Sequence, residues 1–169
     1  MQGWSGKNCF KFSASKLVSV HFCIIQGLYS GPELRLDGAL IPVVEKTKFL
    51  GLLFDRKLSF IPHINKLRLH SLSSINLLRV VSNINWGGSS DVLLRLFRSL
   101  VRSRLDYGCV VYGSARRSYL LKLDPIHHQG LRLCLGAFRT SPVESLYSEA
   151  REPSLSPRRR LLSLKYFIK

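Results

Sequence analysis

Acidic residues are scarce in this chain: 10 Asp and Glu stand against 26 Lys and Arg in 169 residues, for a formal net charge of +16. The few carboxylates are scattered, and no two are adjacent in sequence. Chemistry that clamps divalent cations between convergent carboxylates therefore has no motif here. Cysteine is also sparse. Cys9, Cys23, Cys109 and Cys134 form no Cys-x-x-Cys pair and show no metal-ligand spacing. Apolar neighbours make buried free thiols in a reducing compartment the expectation for all four. The five histidines include the pair His127 and His128, but no His/Cys cluster surrounds it, so structural roles are expected. A glycine-rich phosphate loop, Gly-x-Ser-x-Gly and His-Glu-x-x-His are all missing. No run approaches the ~20 apolar residues of a membrane span. The first residues do not follow the charged-then-apolar layout of a signal peptide. A soluble intracellular chain, nuclear and/or cytoplasmic and without a membrane partner, is expected.

Hydrophobic residues make up 46 %, which suits a folded chain rather than a disordered one. The length fits one domain or two small subdomains. Charge of one sign this large opposes compaction, so it points to a polyanionic partner. It is unevenly placed. Residues 1–57 carry 8 basic and 4 acidic side chains, whereas residues 58–169 carry 18 and 6, net +12. The second segment meets most of the anion.

Hydrophobic patterning divides the chain at the same place. Leu17 to Phe22 alternates as a half-buried strand does. Asp37-Gly38 between the short runs 33–36 and 40–41 is a strong hairpin signal, because a type I′ turn needs positive φ at both central residues. Pro42 limits the return strand to an edge or an end. Lys48 to Phe54 is an apolar run of strand length, with Gly51 marking a bulge or a close backbone approach.

After Asp55 the period becomes helical. Pro62 opens a segment in which Ile64, Leu67, Ile75 and Leu78 share a face, with Lys66, Arg68 and Arg79 elsewhere around it. A break at 83–88 holds Trp86 and two glycines. Ser90 and Asp91 then suit the start of a helix. That helix carries an apolar stripe of Leu93, Phe97, Leu100 and Val101. It also carries a basic stripe of Arg95, Arg98 and Arg102 at i, i+3 and i+7. The stripe is either a set of phosphate contacts or a solvated face. Further starts are expected at Asp124-Pro125, Ser141-Pro142 and Ser156-Pro157, with Gly136 as a stop. Arg158, Arg159 and Arg160 oppose the dipole of the last helix, a cost that phosphates or carboxylates would offset. The expected fold class is α+β, strands first and then an all-helical bundle.

Several runs resemble the downstream half of reverse transcriptases from jockey-like non-LTR retrotransposons. WSGKNCFKFSASK (residues 4–16) is similar to the segment after that family's catalytic Asp-Asp turn, with Cys9 in place of a glycine and Leu17 in place of a threonine. Lys16 matches the motif-D lysine, which the resemblance implies assists pyrophosphate departure; from the residues alone it is a surface lysine before a strand. The hairpin followed by Lys48-Phe49-Leu50-Gly51 and Asp55 resembles motif E, the primer grip. The residues alone fit a core strand equally well. LDYGCVVYGSA (105–115) and LDPIHHQGLRLCLGAFRTSPVESLY (123–147) look like the family's thumb and the stretch beyond it.

The resemblance implies a small palm remnant over residues 1–57 and a helical thumb with its following connection over 58–169. It implies RNA and DNA as partners, in the form of a primer–template duplex and element RNA. Phe49, Leu50, Gly51, Lys66, Arg68, Arg95, Arg98 and Arg102 are the candidate contacts. No cofactor is expected in this chain, with Mg2+ belonging to the full-length enzyme. The family's catalytic carboxylates would lie before Met1, so the chain is expected to be a truncated element or a partial gene model that synthesises nothing alone. A stand-alone, non-enzymatic basic nucleic-acid-binding protein is the other reading.

Overall fold

The computed structural model describes residues 7–9, 13, 16–23, 33–36, 38–83 and 87–168. Most of the run 4–16, together with Asp37 and Trp86, lies outside them. The chain forms two compact units, Met1–Ser59 and Phe60–Lys169. The architecture is α+β: two small antiparallel hairpins, then a helical bundle.

In the first unit, β1 (Arg35–Leu36) pairs with β2 (Ala39–Leu40) across the expected Asp-Gly turn, with Gly38 at φ 79°. Leu17–Phe22 is not a strand. It contributes one parallel bridge, in which Ser19 donates to the Pro42 carbonyl (2.9 Å) and accepts from the Val44 N–H (2.8 Å). Pro42 cannot donate, so pairing beside it stays minimal. The run Lys48–Phe54 is not one strand but the turn of a second hairpin. β3 (Lys46–Phe49) pairs with β4 (Leu52–Asp55) in the register Phe49↔Leu52. Leu50 (φ 45°) and Gly51 (φ 83°) are the two central residues. Positive φ at both matches the right-handed twist of the flanking strands. A leucine there is strained, because its Cβ crowds the following carbonyl in the left-handed region. Asp55, buried at the end of β4, accepts from the Ser59 N–H (3.1 Å) and hydroxyl (2.9 Å).

The second unit is built on α1 (Ile61–Val81), α2 (Ser90–Phe97) and α6 (Asp124–Leu135). Pro62 falls in the first turn of α1, and Ile64, Leu67, Ile75 and Leu78 are all buried, as the periodicity requires. α2 runs without a break into a π-helical turn (Arg98–Arg102) and then α3 (Ser103–Asp106). Leu93, Phe97 and Val101 enter the core. α4 (Cys109–Tyr112) begins after Gly108, at φ 68°. The fully buried Tyr112 hydroxyl donates back to the Leu105 carbonyl. α5 (Arg117–Leu120) and a 3-10 turn (Leu121–Leu123) lead into α6. α6 is capped at its end by Gly136 at φ 64°, the expected stop. α6 packs on α2 most tightly at Gly130, where a Cβ would come within 2.3 Å of the Phe97 ring.

α7 (Val143–Ala150) and α8 (Leu155–Phe167) complete the unit. Each expected start is displaced by a residue or two. Pro142 is the cap of α7, Ser154 the cap of α8, and neither makes a side-chain capping bond.

Candidate nucleic-acid interface

The basic stripe of α2 does not survive folding. A π turn closes i→i+5 bonds and takes one more residue per turn. The helical phase therefore slips between Arg95 and Arg102: Arg95 stays exposed, while Arg98 and Arg102 are half-buried. Arg98 Nε donates to Glu152 Oε1 at 2.6 Å, and its Nη2 to the Ala150 carbonyl at 3.3 Å. Arg102 donates to the other Glu152 oxygen. The Glu152 side chain is only 1 % exposed, so these arginines compensate a buried charge. The carboxylate was missed because it sits in the loop between α7 and α8, some fifty residues from its partners.

One arginine of the α8 triplet is paired in a similar way. Arg158 grips Asp106 with Nε at 2.9 Å from each oxygen and Nη2 at 2.6 Å from Oδ2. The pairing holds the guanidinium even more firmly protonated than usual. A carboxylate thus offsets the opposed dipole, as the sequence required of some anion. Arg104, though exposed, donates to Ser74 Oγ (2.9 Å) and the His70 carbonyl (3.1 Å) of α1.

The remaining candidates are solvent-facing. Lys66 and Arg68 are exposed on α1. Lys16 is exposed, and its N–H donates to the Ser13 carbonyl. Phe49 and Leu50 are 62 % and 73 % exposed at the tip of the second hairpin. Gly51 stands beside them in the turn, at φ 83°.

The histidine pair is structural. His128 Nε2 meets the Tyr147 hydroxyl at 2.6 Å, tying α6 to α7. His127 is fully buried against Phe97 and Tyr147, with ring centroids at 5.5 and 5.8 Å. Burial and then the charge of His128 push its pKa down to about 4, against the opposing pull of Glu152 and the Pro153 backbone. Of the cysteines, Cys109 and Cys134 are buried as expected, and burial pushes the Cys134 thiol up to about 12. Cys9 is exposed and Cys23 half-buried, so the expectation fails for those two. Among the described residues no three His, Cys, Asp or Glu side chains are placed to hold a metal ion.

What this unit offers chemically is a surplus of surface cations on a bundle whose inner arginines are already committed. The chain is similar over nearly its whole length to proteins of one kind. The RNA-directed DNA polymerase from mobile element jockey of Drosophila funebris is 28 % identical over 174 residues, covering 98 % of this chain. Its Drosophila melanogaster counterpart is 27 % identical over 168 residues. The retrovirus-related Pol polyprotein from type-1 retrotransposable element R1 of Bradysia coprophila is 28 % identical over 95 % of this chain. These relatives of the chain are thus RNA-directed DNA polymerases and a Pol polyprotein of mobile elements.

The chain spans about a fifth of the length of the curated relatives it matches, 18 % for the two jockey polymerases. No family model matches the chain, and no solved structure does. Among the described residues no helix is long and apolar enough to cross a membrane.

Proposed function

We propose that this chain is the primer–template-binding portion of an RNA-directed DNA polymerase, holding the duplex by its phosphates. The observation that carries this reading is the charge left over after folding. Of the 18 basic side chains in residues 58–169, Arg98, Arg102 and Arg158 pair with Glu152 and Asp106. Among the described residues, the other lysines and arginines of this unit have no carboxylate within ion-pair distance. Phosphates are the natural complement of such a surface, and contacts to them position a protein on a duplex without reading bases. The exposed Phe49–Leu50 tip, with Lys16 in the same unit, is the candidate for contact with the growing end.

Nucleotide addition needs metal ions held by carboxylates. In this reading the carboxylates that hold magnesium belong to other parts of a longer polymerase. The test is a titration of a labelled RNA–DNA hybrid at several salt concentrations, beside primer extension on an RNA template with magnesium. Binding that weakens steeply with salt, without extension, is the expected result. A flat salt response, or extension abolished by a substitution in this chain, would overturn the reading.

A further inference from the structure

α6 crosses α1 beside a pair of adjoining clefts that share Pro125 and Gln129. The first, of about 330 Å3, is flanked by Arg68 of α1 and by Lys122. The second, of about 760 Å3, is flanked by Arg132 and Arg139 at the other end of α6. No carboxylate lines either cleft. By contrast, the larger groove of about 960 Å3 between α8 and residues 109–124 takes in Asp124.

The fold brings these four cations together from distant stretches. Lys122 lies in the 3-10 turn before α6, with its ammonium 5.1 Å from the Tyr119 ring centroid. Arg132 lies two turns along α6 from Pro125, and its Nη2 is fixed by the Ser141 carbonyl at 3.1 Å. Gly136 reverses the chain in the left-handed conformation, and the Ser141 N–H closes a turn on the Phe138 carbonyl at 3.1 Å. Arg139 sits in that turn, beside the end of the helix it has just left. The α6 C-terminus contributes a partial negative charge of about half a unit, which four whole cations outweigh.

We propose that this double cleft is the seat of one strand of a nucleic-acid duplex, with Arg68, Lys122, Arg132 and Arg139 on successive phosphates and Gln129 bonding to backbone oxygens between them. The proposal rests on the duplex-binding reading above and gives it a place. Pro125 to Gly136 spans about 16 Å at 1.5 Å per residue. One strand of duplex carries a phosphate about every 3.4 Å of duplex axis, so it offers several phosphates to a cleft of that length. Four cations along the cleft match such a strand in sign. A polyanion with regular charge spacing is favoured over an acidic peptide, whose side chains would have to be ordered to reach the same points.

The experiment compares two triple variants of the full chain, equal in charge removed. Arg68→Gln with Lys122→Gln and Arg139→Gln takes three exposed cations from the cleft. Arg116→Gln with Arg117→Gln and Arg160→Gln takes three exposed cations from elsewhere on the same unit. Glutamine keeps helix propensity, so circular dichroism should match wild type for both. If a variant does unfold, the single substitutions Arg68→Gln and Arg139→Gln replace it in the same assay. Each lost phosphate contact lowers the slope of log K against log salt by about 0.9. The cleft variant should lose roughly 2 to 3 from the slope for an RNA–DNA hybrid, the other less than about 1. Equal losses in the two variants would overturn the proposal and leave duplex binding intact. So would displacement of the hybrid by polyglutamate as effective as displacement by unlabelled hybrid. Failure of the wild-type chain to bind the hybrid at low salt would remove the functional reading itself.

Discussion

Glu152→Gln should destabilise the helical unit by on the order of 3 kcal/mol. The carboxylate is 1 % exposed and receives Arg98 and Arg102 from the π turn. Removing one partner of a buried ion pair typically costs about 3–5 kcal/mol, because the charge left behind is uncompensated. Here the two guanidinium side chains are 39 % and 21 % exposed, so water screens part of the loss and the low end applies. For a unit of this size that is a fall in melting temperature of roughly 10 °C. The matched comparison is Arg98→Gln against Arg95→Gln. Arg95 faces solvent one turn earlier in the same helix, and its loss should stay within about 0.5 kcal/mol. Arg98→Gln leaves Glu152 with one partner and should cost clearly more. Thermal denaturation of the four proteins, wild type included, decides the matter. If Arg98→Gln and Arg95→Gln are equally mild, the inward assignment of Arg98 is wrong and the original basic stripe regains its standing as a binding face.

Stability should also fall with acid through His127. Its folded pKa of about 4 lies below the unfolded 6.5, so the unfolded chain binds the extra proton. The stabilisation is full above pH 6.5 and declines as pH drops toward 4, by on the order of 3 kcal/mol in all. Urea titrations of wild type and His127→Phe across that window check it, and parallel pH profiles would refute it. Gly130→Ala should destabilise despite the better helix propensity of alanine. Its Cβ would lie 2.3 Å from the buried Phe97 ring, and overpacking costs about 1–3 kcal/mol against a propensity gain of about 1. Chemical denaturation reads the sign. Leu50→Asn should stabilise the second hairpin by roughly 1 kcal/mol, since asparagine tolerates positive φ. Slower amide exchange in β3 and β4 would show it, and faster exchange would contradict the turn geometry.

What the sequence determined by itself is local or periodic. The Asp-Gly signal foretold a hairpin, and Gly38 takes the positive φ such a turn needs. Ile64, Leu67, Ile75 and Leu78 must be buried together because 3.6 residues per turn puts them on one face. Gly136 ends α6 because the left-handed cap has no room for a Cβ penalty. The surplus of positive charge was legible for the same reason, since net charge needs no geometry. Tertiary structure decided how that charge is divided. Arg98 and Arg95 are alike in sequence, and only the π turn and a glutamate about fifty residues away turn one inward and leave the other in water. Likewise Arg68, Lys122 and Arg139 share no periodicity that a linear reading could find. They line adjoining clefts because α6 crosses α1 and the chain reverses after Gly136. Contacts between residues so far apart depend on packing, and packing is the one quantity that no local pattern carries.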